Sequence, residues 1–310
     1  MAKYIVTGGA GFIGSNITRE LVRLGHTVKV IDNLSTGKLE NLNNISKKIK
    51  FVKGNICNLN LLQKELHGFD FVLHQAALCS VPRSIANPAR TNRNNIDGTL
   101  NVLVTSRDQK IKRVVFASSS SVYGDIESEF KTEGNTGKIL SPYALTKFTG
   151  EEYCRLFYKI YGLETISLRY FNVFGPAQDP DSQYAAVIPK FIKLMMAGKR
   201  PTIYGDGNQS RDFTFVKNNV LANILAAKSH PGAGEVFNIA CGENFTLNQL
   251  VQLINQELKT NIKPIYTSKR PGDIKHSKAE IKKAKKTIGY QPKVYFKEGL
   301  RETIQWYKHL

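Results

Sequence analysis

A glycine-rich turn placed directly between the first predicted strand and the first predicted helix is the most constraining feature of this chain. The strand is predicted at residues 3–7, and Gly8, Gly11 and Gly14 follow it at the spacing G-x-x-G-x-x-G. Without Cβ atoms such a turn is tight, and its backbone can approach a phosphate group closely. The N-terminus of the following helix adds free N–H groups and a partial positive charge. The pattern therefore predicts a pyrophosphate-binding turn.

Short runs of β-branched residues alternate with longer helical patterns from the N-terminus onward, which is typical of parallel β-α-β winding. The strands are predicted at residues 3–7, 27–32, 49–53, 69–75, 112–118 and 164–170. The first helix repeats apolar residues at intervals of three or four before a stop at Gly25, at Ile13, Ile17, Leu21 and Leu24. Two later helices, predicted at 95–107 and 143–161, are long enough to cover a sheet, and their exposed sides are candidates for a homodimer interface.

The regular alternation weakens after Tyr170, where Gly-Pro, Asp-Pro and Gly-Asp-Gly loops interrupt it. We therefore expect an α/β fold in which residues 1–170 form a Rossmann-type doubly wound parallel sheet and residues 171–310 form mainly a smaller mixed α/β substrate-binding lobe. A buried strand predicted at 235–240 indicates that the chain returns to the first domain at about 213–240. The closing helices are predicted at 246–257, 278–288 and 296–307, with Ser277 as the cap of the second.

Composition narrows the class of protein. The 310 residues are 41% apolar, which is enough for a large core. No uninterrupted apolar run of about 18 residues and no signal-peptide pattern occurs, so a cytoplasmic protein without a membrane anchor is expected. The cysteines lie far apart without a C-x-x-C pair, and we expect reduced, mostly buried thiols at Cys57, Cys79, Cys154 and Cys241.

The charge balance is strongly basic. Lys and Arg number 44 against 25 Asp and Glu, which gives a formal net charge of +19. Such a field favours anionic ligands, but much of the excess is Lys in surface-like stretches such as residues 47–50 and 275–286. A solvated basic surface accounts for these residues, and an electrostatic funnel for a diphosphate substrate is the alternative. Nucleic acid is not an expected partner, because no basic motif interleaved with aromatic residues is present.

Asp32 ends the second predicted strand, 18 positions after Gly14, where a carboxylate can accept hydrogen bonds from the adenosine ribose hydroxyls. A 2′-phosphate would be repelled there, and the next residue is Asn33 rather than Arg, so NAD is favoured over NADP. The alternative is that Asp32 only caps a turn. Loops bordering the cofactor are predicted at Asn55-Ile56 and at residues 74–77. His74 is not interpreted as a metal ligand, because no partner lies at a useful spacing, and no metal is expected.

Serines at residues 118–121 follow the fifth strand, and Tyr143 and Lys147 come later at the spacing Y-x-x-x-K. That spacing places the phenol and the ammonium on one face of a helix. A phenol ionises near pH 10 on its own, but a nearby ammonium and a positive nicotinamide ring favour the phenolate. Tyr143 is therefore a candidate general base at neutral pH. The spacing alone also fits an ordinary helix face, and the glycine turn, Asp32 and the serine-rich strand end make the catalytic interpretation stronger.

The whole chain resembles the extended short-chain dehydrogenase/reductase family, most closely its UDP-hexose 4-epimerases. The motifs that carry the resemblance occur in family order: T-G-G-A-G-F-I-G, D-N-L-S-T-G, S-P-Y-A-L-T-K, L-R-Y-F-N-V-F-G-P and R-P-G-D. The resemblance implies that Tyr143 takes the 4-hydroxyl proton while the C4 hydride passes to NAD, with Ser119 bonded to the same oxygen. The resulting 4-keto sugar turns and receives the hydride on its other face. The full set predicted to contact NAD is Gly8, Gly11, Phe12, Ile13, Gly14, Asp32, Asn33, Ser35, Gly37, Asn55, Ile56, Ala76, Ala77, Asn95, Tyr143, Lys147 and Tyr170.

Residues that follow Ser119 distinguish the reactions of related enzymes. The 4,6-dehydratases carry an Asp-Glu pair there and the UDP-glucuronate decarboxylases a Glu, whereas this chain has Ser120 and Ser121. Elimination of water would lack its acid and base, so epimerisation is predicted.

The substrate site is predicted by the same resemblance. Asn172, Lys190, Arg211, Arg270 and Asp273 match positions that hold the nucleotide diphosphate and its ribose, and guanidinium groups suit a diphosphate. Structural salt bridges are the alternative for the two arginines. The complete predicted set is Ser80, Arg83, Ser120, Ser121, Asn172, Val187, Lys190, Tyr204, Arg211, Arg270, Asp273 and Ser277.

Ser277 bears on the choice of sugar. It falls where family members restricted to glucose and galactose have a bulky Tyr and members that admit a 2-acetamido group have a small residue. The run at residues 77–84 also resembles epimerases of UDP-N-acetylglucosamine and UDP-N-acetylgalactosamine. An N-acetylhexosamine substrate is therefore predicted, with UDP-glucose and UDP-galactose as possible further substrates.

Three alternatives remain. UDP-glucuronate 4-epimerases share a serine run followed by V-Y-G, here residues 118–124, but an Arg expected after Gly175-Pro176 is replaced by Ala177-Gln178-Asp179. A UDP-glucose-restricted epimerase is the second alternative, and a non-catalytic NAD-binding protein of the same fold is the third. The intact Ser119, Tyr143 and Lys147 argue against the last of these.

Overall fold

The central feature of the fold is a parallel sheet covered by helices on both faces. A computed structural model describes residues 1–126, 128, 130–181, 186–268 and 276–309. Within these residues the sheet has seven strands in the order β3-β2-β1-β4-β5-β6-β11, and every pairing is parallel. Its strands are β1 (Lys3–Thr7), β2 (Thr27–Asp32), β3 (Ile49–Lys53), β4 (Phe71–His74), β5 (Arg113–Ser119), β6 (Glu164–Tyr170) and β11 (Glu235–Ile239).

Helices and short helical segments connect these strands. The α-helices are α1 (Phe12–Arg23), α2 (Leu59–Leu66), α3 (Val81–Ala86), α4 (Pro88–Asn92), α5 (Gly98–Asp108), α6 (Pro142–Tyr161), α7 (Val187–Met196), α8 (Val216–Lys228), α9 (Leu247–Leu258), α10 (Lys282–Ile288) and α11 (Phe296–Lys308). Leu39–Lys48 and Ser120–Tyr123 are 3₁₀ segments, and Arg93–Asp97 is a π-helical turn before α5.

Short strands organise the second lobe. They form three small sheets, β7 with β10, β8 with β13, and β12-β9-β14. Their bounds are β7 (Val173–Phe174), β8 (Thr202–Tyr204), β9 (Ser210–Arg211), β10 (Thr214–Phe215), β12 (Phe245–Thr246), β13 (Ile265–Thr267) and β14 (His276–Ser277). The Rossmann-type fold predicted from the sequence is confirmed, and β11 returns to the edge of the first sheet beside β6, as expected.

Separate apolar cores stabilise the two parts. One face of the sheet packs on α1, α8 and α10, and the other packs on α2, α5 and α6. The second lobe has an aromatic core in which Phe296 stacks on Phe213 with ring centres 5.1 Å apart and meets Phe174 edge-on at 5.4 Å. Aromatic rings bury large areas and favour these geometries, so Phe296 at the start of α11 anchors the lobe.

Helix α6 shows why the local sequence gives a defined start and stop. The Ser141 hydroxyl accepts a hydrogen bond from the Ala144 N–H at 3.2 Å, and Pro142 occupies the first turn, where its missing N–H costs nothing. Gly162 ends the helix at φ 70°, a left-handed conformation that suits glycine. Leu145 and Leu156 are exposed on the outer side of α6. The homodimer stays a prediction.

Three sequence predictions about elements are corrected. Helix α5 begins at Gly98 rather than residue 95, because the π-helical turn precedes it. The helix predicted at 278–288 spans only Lys282–Ile288, and its N-cap is Ile281. Ser277 is therefore not a helix cap. Its carbonyl accepts a hydrogen bond from the Asp212 N–H at 2.9 Å within the β9–β14 pairing, and residues 278–280 bond in extended form to Lys131. Backbone pairing across the lobe overrides the capping tendency of one hydroxyl.

Replacing Phe296 with Ala tests the aromatic core. Phe296 is fully buried against three rings, so its truncation is expected to lower the free energy of unfolding by about 3–5 kcal/mol. Tyr295→Ala is the matched control, because the neighbouring Tyr295 is 49% exposed and its loss should cost less than about 1 kcal/mol. Denaturant unfolding monitored by circular dichroism measures both. Equal losses for the two variants would contradict the assignment of Phe296 as the anchor.

Candidate active site

The reversal of strand order places a crevice at the carboxyl edge of the sheet. Strand β1 has β2 on one side and β4 on the other, so the loops after β1 and β4 leave in opposite directions. Ligands of open α/β sheets bind at such a switch point. Gly8 has φ 69°, and a Cβ there would lie 2.7 Å from the Ala76 nitrogen after β4. A Cβ on Gly14 would lie 2.2 Å from the Gly8 carbonyl oxygen. The loops therefore form a cradle that only glycine permits, and it fits a pyrophosphate.

Asp32 both caps a turn and faces this cradle. Its Oδ2 accepts the Ala10 N–H at 3.0 Å and its Oδ1 accepts the Leu34 N–H at 2.8 Å. Burial raises the pKa of the Asp32 carboxyl, and these two hydrogen bonds oppose that shift. A carboxylate has about four lone-pair sites, so two remain for ribose hydroxyls. A Cβ at position 37 would lie 2.9 Å from Oδ2. Because Gly37 has no Cβ, that side of the pocket stays open.

Other residues predicted to contact NAD also lie at this edge. Asn33 accepts the Ser35 N–H at 3.0 Å in the turn after β2. Asn55 and Ile56 follow β3, with the Asn55 side chain accepting the Cys57 N–H at 2.9 Å. Phe12 and Ile13 form the first turn of α1, and Ala76 and Ala77 form the loop after β4. The fold brings this part of the predicted set together around the glycine turn.

Two predicted cofactor residues direct their polar groups toward protein partners. The buried Asn95 amide accepts the Leu78 N–H at 2.8 Å and donates to the Thr146 hydroxyl at 3.1 Å. The Tyr170 hydroxyl donates to Gln75 at 3.1 Å and accepts from the Asn223 amide at 2.6 Å, and burial raises its pKa to about 12. Both residues thus hold the loop after β4, and direct contact with NAD stays a prediction.

Ser119, Tyr143 and Lys147 meet where β5 ends against α6. The Ser119 hydroxyl lies close enough to the Tyr143 phenol to influence its pKa, and it accepts the Ser121 N–H at 3.2 Å. Lys147 donates from Nζ to the Ala117 carbonyl at 2.6 Å and lies 4.9 Å from the centre of the Phe116 ring. Its Nζ is 6.0 Å from the centre of the Tyr143 ring. The predicted catalytic set is therefore assembled in one place.

The pKa shifts of Tyr143 and Lys147 differ from the expectation that a nearby ammonium favours the phenolate. Burial raises the pKa of Tyr143 well above its usual value of 10, and Cys79 adds to the rise, while the interaction with Ser119 opposes it. Burial lowers the pKa of Lys147, and Cys79, Glu151 and Cys154 oppose that shift. Lys147 thus does not by itself bring Tyr143 to a phenolate. Further positive charge, of the kind an oxidised nicotinamide supplies, is needed.

Cys79 was not identified from the sequence as a site residue. Of the four free thiols, Cys154 and Cys241 are buried and Cys57 is partly buried, but Cys79 is exposed, so the expectation of mostly buried thiols is wrong at this position. Cys79 lies close enough to Tyr143 to raise its pKa. It precedes Ser80, which has φ 109° and caps α3 by accepting the Arg83 N–H at 3.3 Å. No periodic signal marks this contact, since it depends on how the loop after β4 turns toward α6.

His74 is a structural residue of the crevice floor. Its Nδ1 is bonded to the Thr7 hydroxyl at 2.7 Å and its Nε2 to the Thr99 hydroxyl at 3.0 Å. Burial and the charge of Lys147 lower its pKa to about 3, so the ring is neutral. The described ranges contain no group of three or more acidic, His or Cys side chains placed to hold a metal ion.

Most of the predicted substrate residues that the structure describes lie in the elements after Tyr170. Arg211 pairs with Ser277 across β9 and β14, and the Asn172 amide donates to the Asp212 carbonyl at 3.0 Å. Val187 and Lys190 lie in the first turn of α7, Tyr204 ends β8, and Ser120 and Ser121 follow β5. The Ser121 hydroxyl is buried without a hydrogen-bond partner in the part of the chain that is described. Arg270 and Asp273 lie outside the described residues.

The sheet order and the set at the end of β5 define a short-chain dehydrogenase-type enzyme that uses a nicotinamide dinucleotide. In accord with this, residues 4–240 match the NAD dependent epimerase/dehydratase family, and the chain belongs to that family. Its cofactor is NAD. None of the helices in the described residues has the length and apolar character needed to cross a membrane.

Relatives cover the whole chain. A UDP-N-acetylglucosamine 4-epimerase from Methanobrevibacter ruminantium M1, solved in complex with UDP-N-acetylmuramic acid, is 45% identical with a TM-score of 0.95, covering 99% of this chain and 98% of that one. A UDP-glucose 4-epimerase from Thermotoga maritima, solved with UDP-glucose, is 38% identical with a TM-score of 0.94 and 99% coverage of both chains. A putative UDP-glucose 4-epimerase from Methanocaldococcus jannaschii is 39% identical over 98% of both chains.

Gly14→Ala tests the cradle. The new methyl group would press on the Gly8 carbonyl and open the turn, so NAD affinity is expected to fall about tenfold or more, a loss of about 1.4 kcal/mol or more. Gly134→Ala is the control, because a Cβ at Gly134 meets nothing within 4 Å. Calorimetric titration of apoprotein with NAD measures both. Unchanged affinity in Gly14→Ala would show that the pyrophosphate does not bind in this turn.

Proposed function

We propose that this enzyme epimerises a UDP-sugar at C4, most favourably a UDP-N-acetylhexosamine. The single observation that carries the proposal is the convergence of Ser119 and Tyr143 at the mouth of the NAD crevice, with serines at residues 120 and 121. The similarity to three 4-epimerases over the whole chain supports it. By the same proposal, residues 1–170 and 213–240 hold NAD and the remainder holds the sugar nucleotide.

Each catalytic side chain has a defined task in this reaction. Tyr143 removes the proton of the 4-hydroxyl and returns it later, and Ser119 donates a hydrogen bond to the same oxygen as it becomes a carbonyl. Lys147 keeps a positive charge near the phenol and is fixed by the Ala117 carbonyl. Bound NAD supplies a reversible hydride acceptor at C4. The residues proposed to hold NAD are the glycines of the cradle, with Asp32 on the ribose.

The environment of Tyr143 favours proton transfer in both directions. Burial raises the pKa of Tyr143 well above its usual value and the interaction with Ser119 opposes that rise, and the positive charge of an oxidised nicotinamide would lower the pKa further. Once bound NAD has brought its pKa closer to neutral, Tyr143 can take a proton from one face of the sugar and give it back after the keto sugar has turned. Epimerisation needs such reversibility, because it ends with no net oxidation.

Dehydration is the poorer assignment for this site. Eliminating water from the sugar requires an acid and a base close to the reacting carbons. Ser120 and Ser121 begin the 3₁₀ segment after β5, and hydroxyl groups ionise too weakly for that task. The Ser121 hydroxyl, which has no hydrogen-bond partner among the described residues, is suited to binding a sugar oxygen instead.

Tyr143→Phe combined with a substrate panel tests the activity. Wild-type enzyme without added cofactor is expected to interconvert UDP-N-acetylglucosamine faster than UDP-glucose or UDP-glucuronate, as NMR of the C4 epimers would show. Tyr143→Phe should lower kcat about 100-fold or more, because the proton acceptor is lost. Tyr158→Phe, an exposed position on the same helix, is the control and should keep full rate.

The panel distinguishes the alternatives. Exclusive turnover of UDP-glucuronate would favour the glucuronate epimerase, and exclusive turnover of UDP-glucose the restricted epimerase. Absence of turnover even with added NAD would refute the proposed function. Full biological activity of Tyr143→Phe would support a non-catalytic NAD-binding protein.

Ser277→Tyr tests the choice of sugar. Ser277 lies beside Arg211 on the β9–β14 pair, and a small side chain there leaves space for a 2-acetamido group. The bulky variant is expected to lose at least about tenfold in kcat/KM for UDP-N-acetylglucosamine, corresponding to about 1.4 kcal/mol, while UDP-glucose turnover changes little. Ser277→Ala, which adds no bulk, is the control. Parallel losses with both sugars would contradict a role in selecting the 2-substituent.

A further inference from the structure

Helix α6 carries a third charged residue in line with its catalytic pair. Tyr143, Lys147 and Glu151 follow one another at intervals of four and lie on one face of the helix. Each contacts β5: Tyr143 lies beside Ser119, Lys147 donates to the Ala117 carbonyl, and Glu151 accepts from the Ser118 hydroxyl. The helix and the strand are thus joined by three successive polar contacts.

Arg169 of β6 completes the third contact. Its Nε donates to Glu151 Oε1 at 2.9 Å and its Nη2 to Oε2 at 2.8 Å, a bidentate ion pair. The Arg169 and Glu151 side chains are only 4% and 2% exposed. In the β5–β6 pairing Arg169 lies opposite Ser118, the residue before Ser119. The guanidinium also lies 4.7 Å from the centre of the Tyr123 ring.

A buried ion pair is costly if it serves stability alone. Removing two charges from water often costs more than their attraction returns, and apolar side chains of similar size frequently stabilise a fold as well or better. This pair lies one helical turn from Lys147 and next in sequence to Ser119. Its position suggests a role in the charge and geometry of the catalytic set.

We propose that Glu151 and Arg169 are positioning residues: Glu151 helps to keep Lys147 protonated, Arg169 balances that carboxylate, and the pair fixes α6 against β5 so that Tyr143 meets Ser119. This inference rests on the proposed epimerase function. By this proposal, a network of Ser118, Glu151 and Arg169 lies behind Ser119, Tyr143 and Lys147.

The surroundings of Lys147 support this assignment. Lys147 faces Tyr143, Glu151 and Cys154 along α6, Phe116 on β5, His74 on β4 and Cys79 in the loop after β4. His74 is neutral, since its pKa is lowered to about 3. Burial lowers the pKa of Lys147, and the Glu151 carboxylate is among the groups that oppose this. Tyr143 in turn faces Ser119 and Cys79.

A double-mutant cycle of charge-neutralising variants, followed as kcat against pH, tests the network. In the NAD-loaded enzyme, where the nicotinamide charge lowers the pKa of Tyr143, we expect activity to fall at low pH when Tyr143 is protonated and at high pH when Lys147 loses its proton. Glu151→Gln removes a negative charge, which favours the phenolate and disfavours the ammonium, so both limbs should move to lower pH by about one unit. Arg169→Met leaves the carboxylate unbalanced, so both limbs should move to higher pH. The double variant should return close to the wild-type profile.

Opposite shifts that cancel in the double variant are expected only from charge. Loss of rate without a shift, shifts in the same direction, or no recovery in the double variant would reduce the network to a structural role and overturn the proposal. The exposed Glu152–Arg155 pair on the same helix, 2.7 Å apart, provides the matched control. Glu152→Gln and Arg155→Met should leave both limbs unchanged.

Two further measurements keep the outcome interpretable. If a single charge variant does not fold, Ser118→Ala removes only one hydrogen bond, and it should lower kcat about threefold to tenfold with KM unchanged. An unchanged kcat in that variant would contradict the positioning role. Ultraviolet difference titration of each protein against its Tyr143→Phe derivative reads the phenol directly. An inactive wild type would therefore refute the epimerase function, whereas an unshifted Tyr143 titration would refute the network alone.

Discussion

The contact between the carboxyl end of β5 and the inner face of α6 is the interaction on which the rest of the site depends. It is fixed from both sides, since Ser141 and Pro142 set the start of α6 and the parallel pairing of β5 with β6 sets the position of Ser119. A displacement of one residue in that register would separate Ser119 from Tyr143. The arrangement of Ser119 and Tyr143 is thus a consequence of strand register and helix start, and neither is local to these two side chains.

Much of the first domain could be predicted from the sequence because its signals are local. The β-branched runs predict β1, β2, β3 and β6 with the bounds that the structure shows. The apolar repeat that stops at Gly25 predicts both ends of α1 to within one residue. The glycine spacing and Asp32 predict a cofactor crevice at the sheet edge, and the parallel topology brings the ends of successive strands to that edge. The dual use of Asp32, as a turn cap and as an open acceptor, shows that the two interpretations of this residue were compatible.

Contacts that join distant segments could not be predicted in this way. Ser277 is a residue type that commonly caps helices. Its conformation is decided instead by strand pairing with Arg211, which lies 66 positions earlier in the sequence. Cys79 reaches Tyr143 only because the loop after β4 turns toward α6. Glu151 and Arg169 have no motif in common, and their pairing follows from the packing of α6 on β6. In each case the decisive partner belongs to another element, which a single sequence does not identify.

The crevice is bounded by contacts of unequal strength. At its base Ile13 of α1 packs against both the sheet core and the aromatic core of the second lobe. At its rim the contacts are polar: Lys38 pairs with Asp179 at 2.9 Å, with the two side chains 56% and 33% exposed, and the Asn16 amide donates to the Pro176 carbonyl at 3.0 Å. An exposed ion pair contributes at most about 1 kcal/mol, whereas parting the base would expose buried apolar side chains. The rim is therefore the side at which a dinucleotide can enter with the smallest loss of stability, and the apolar base is what keeps the glycine cradle and the second lobe in register.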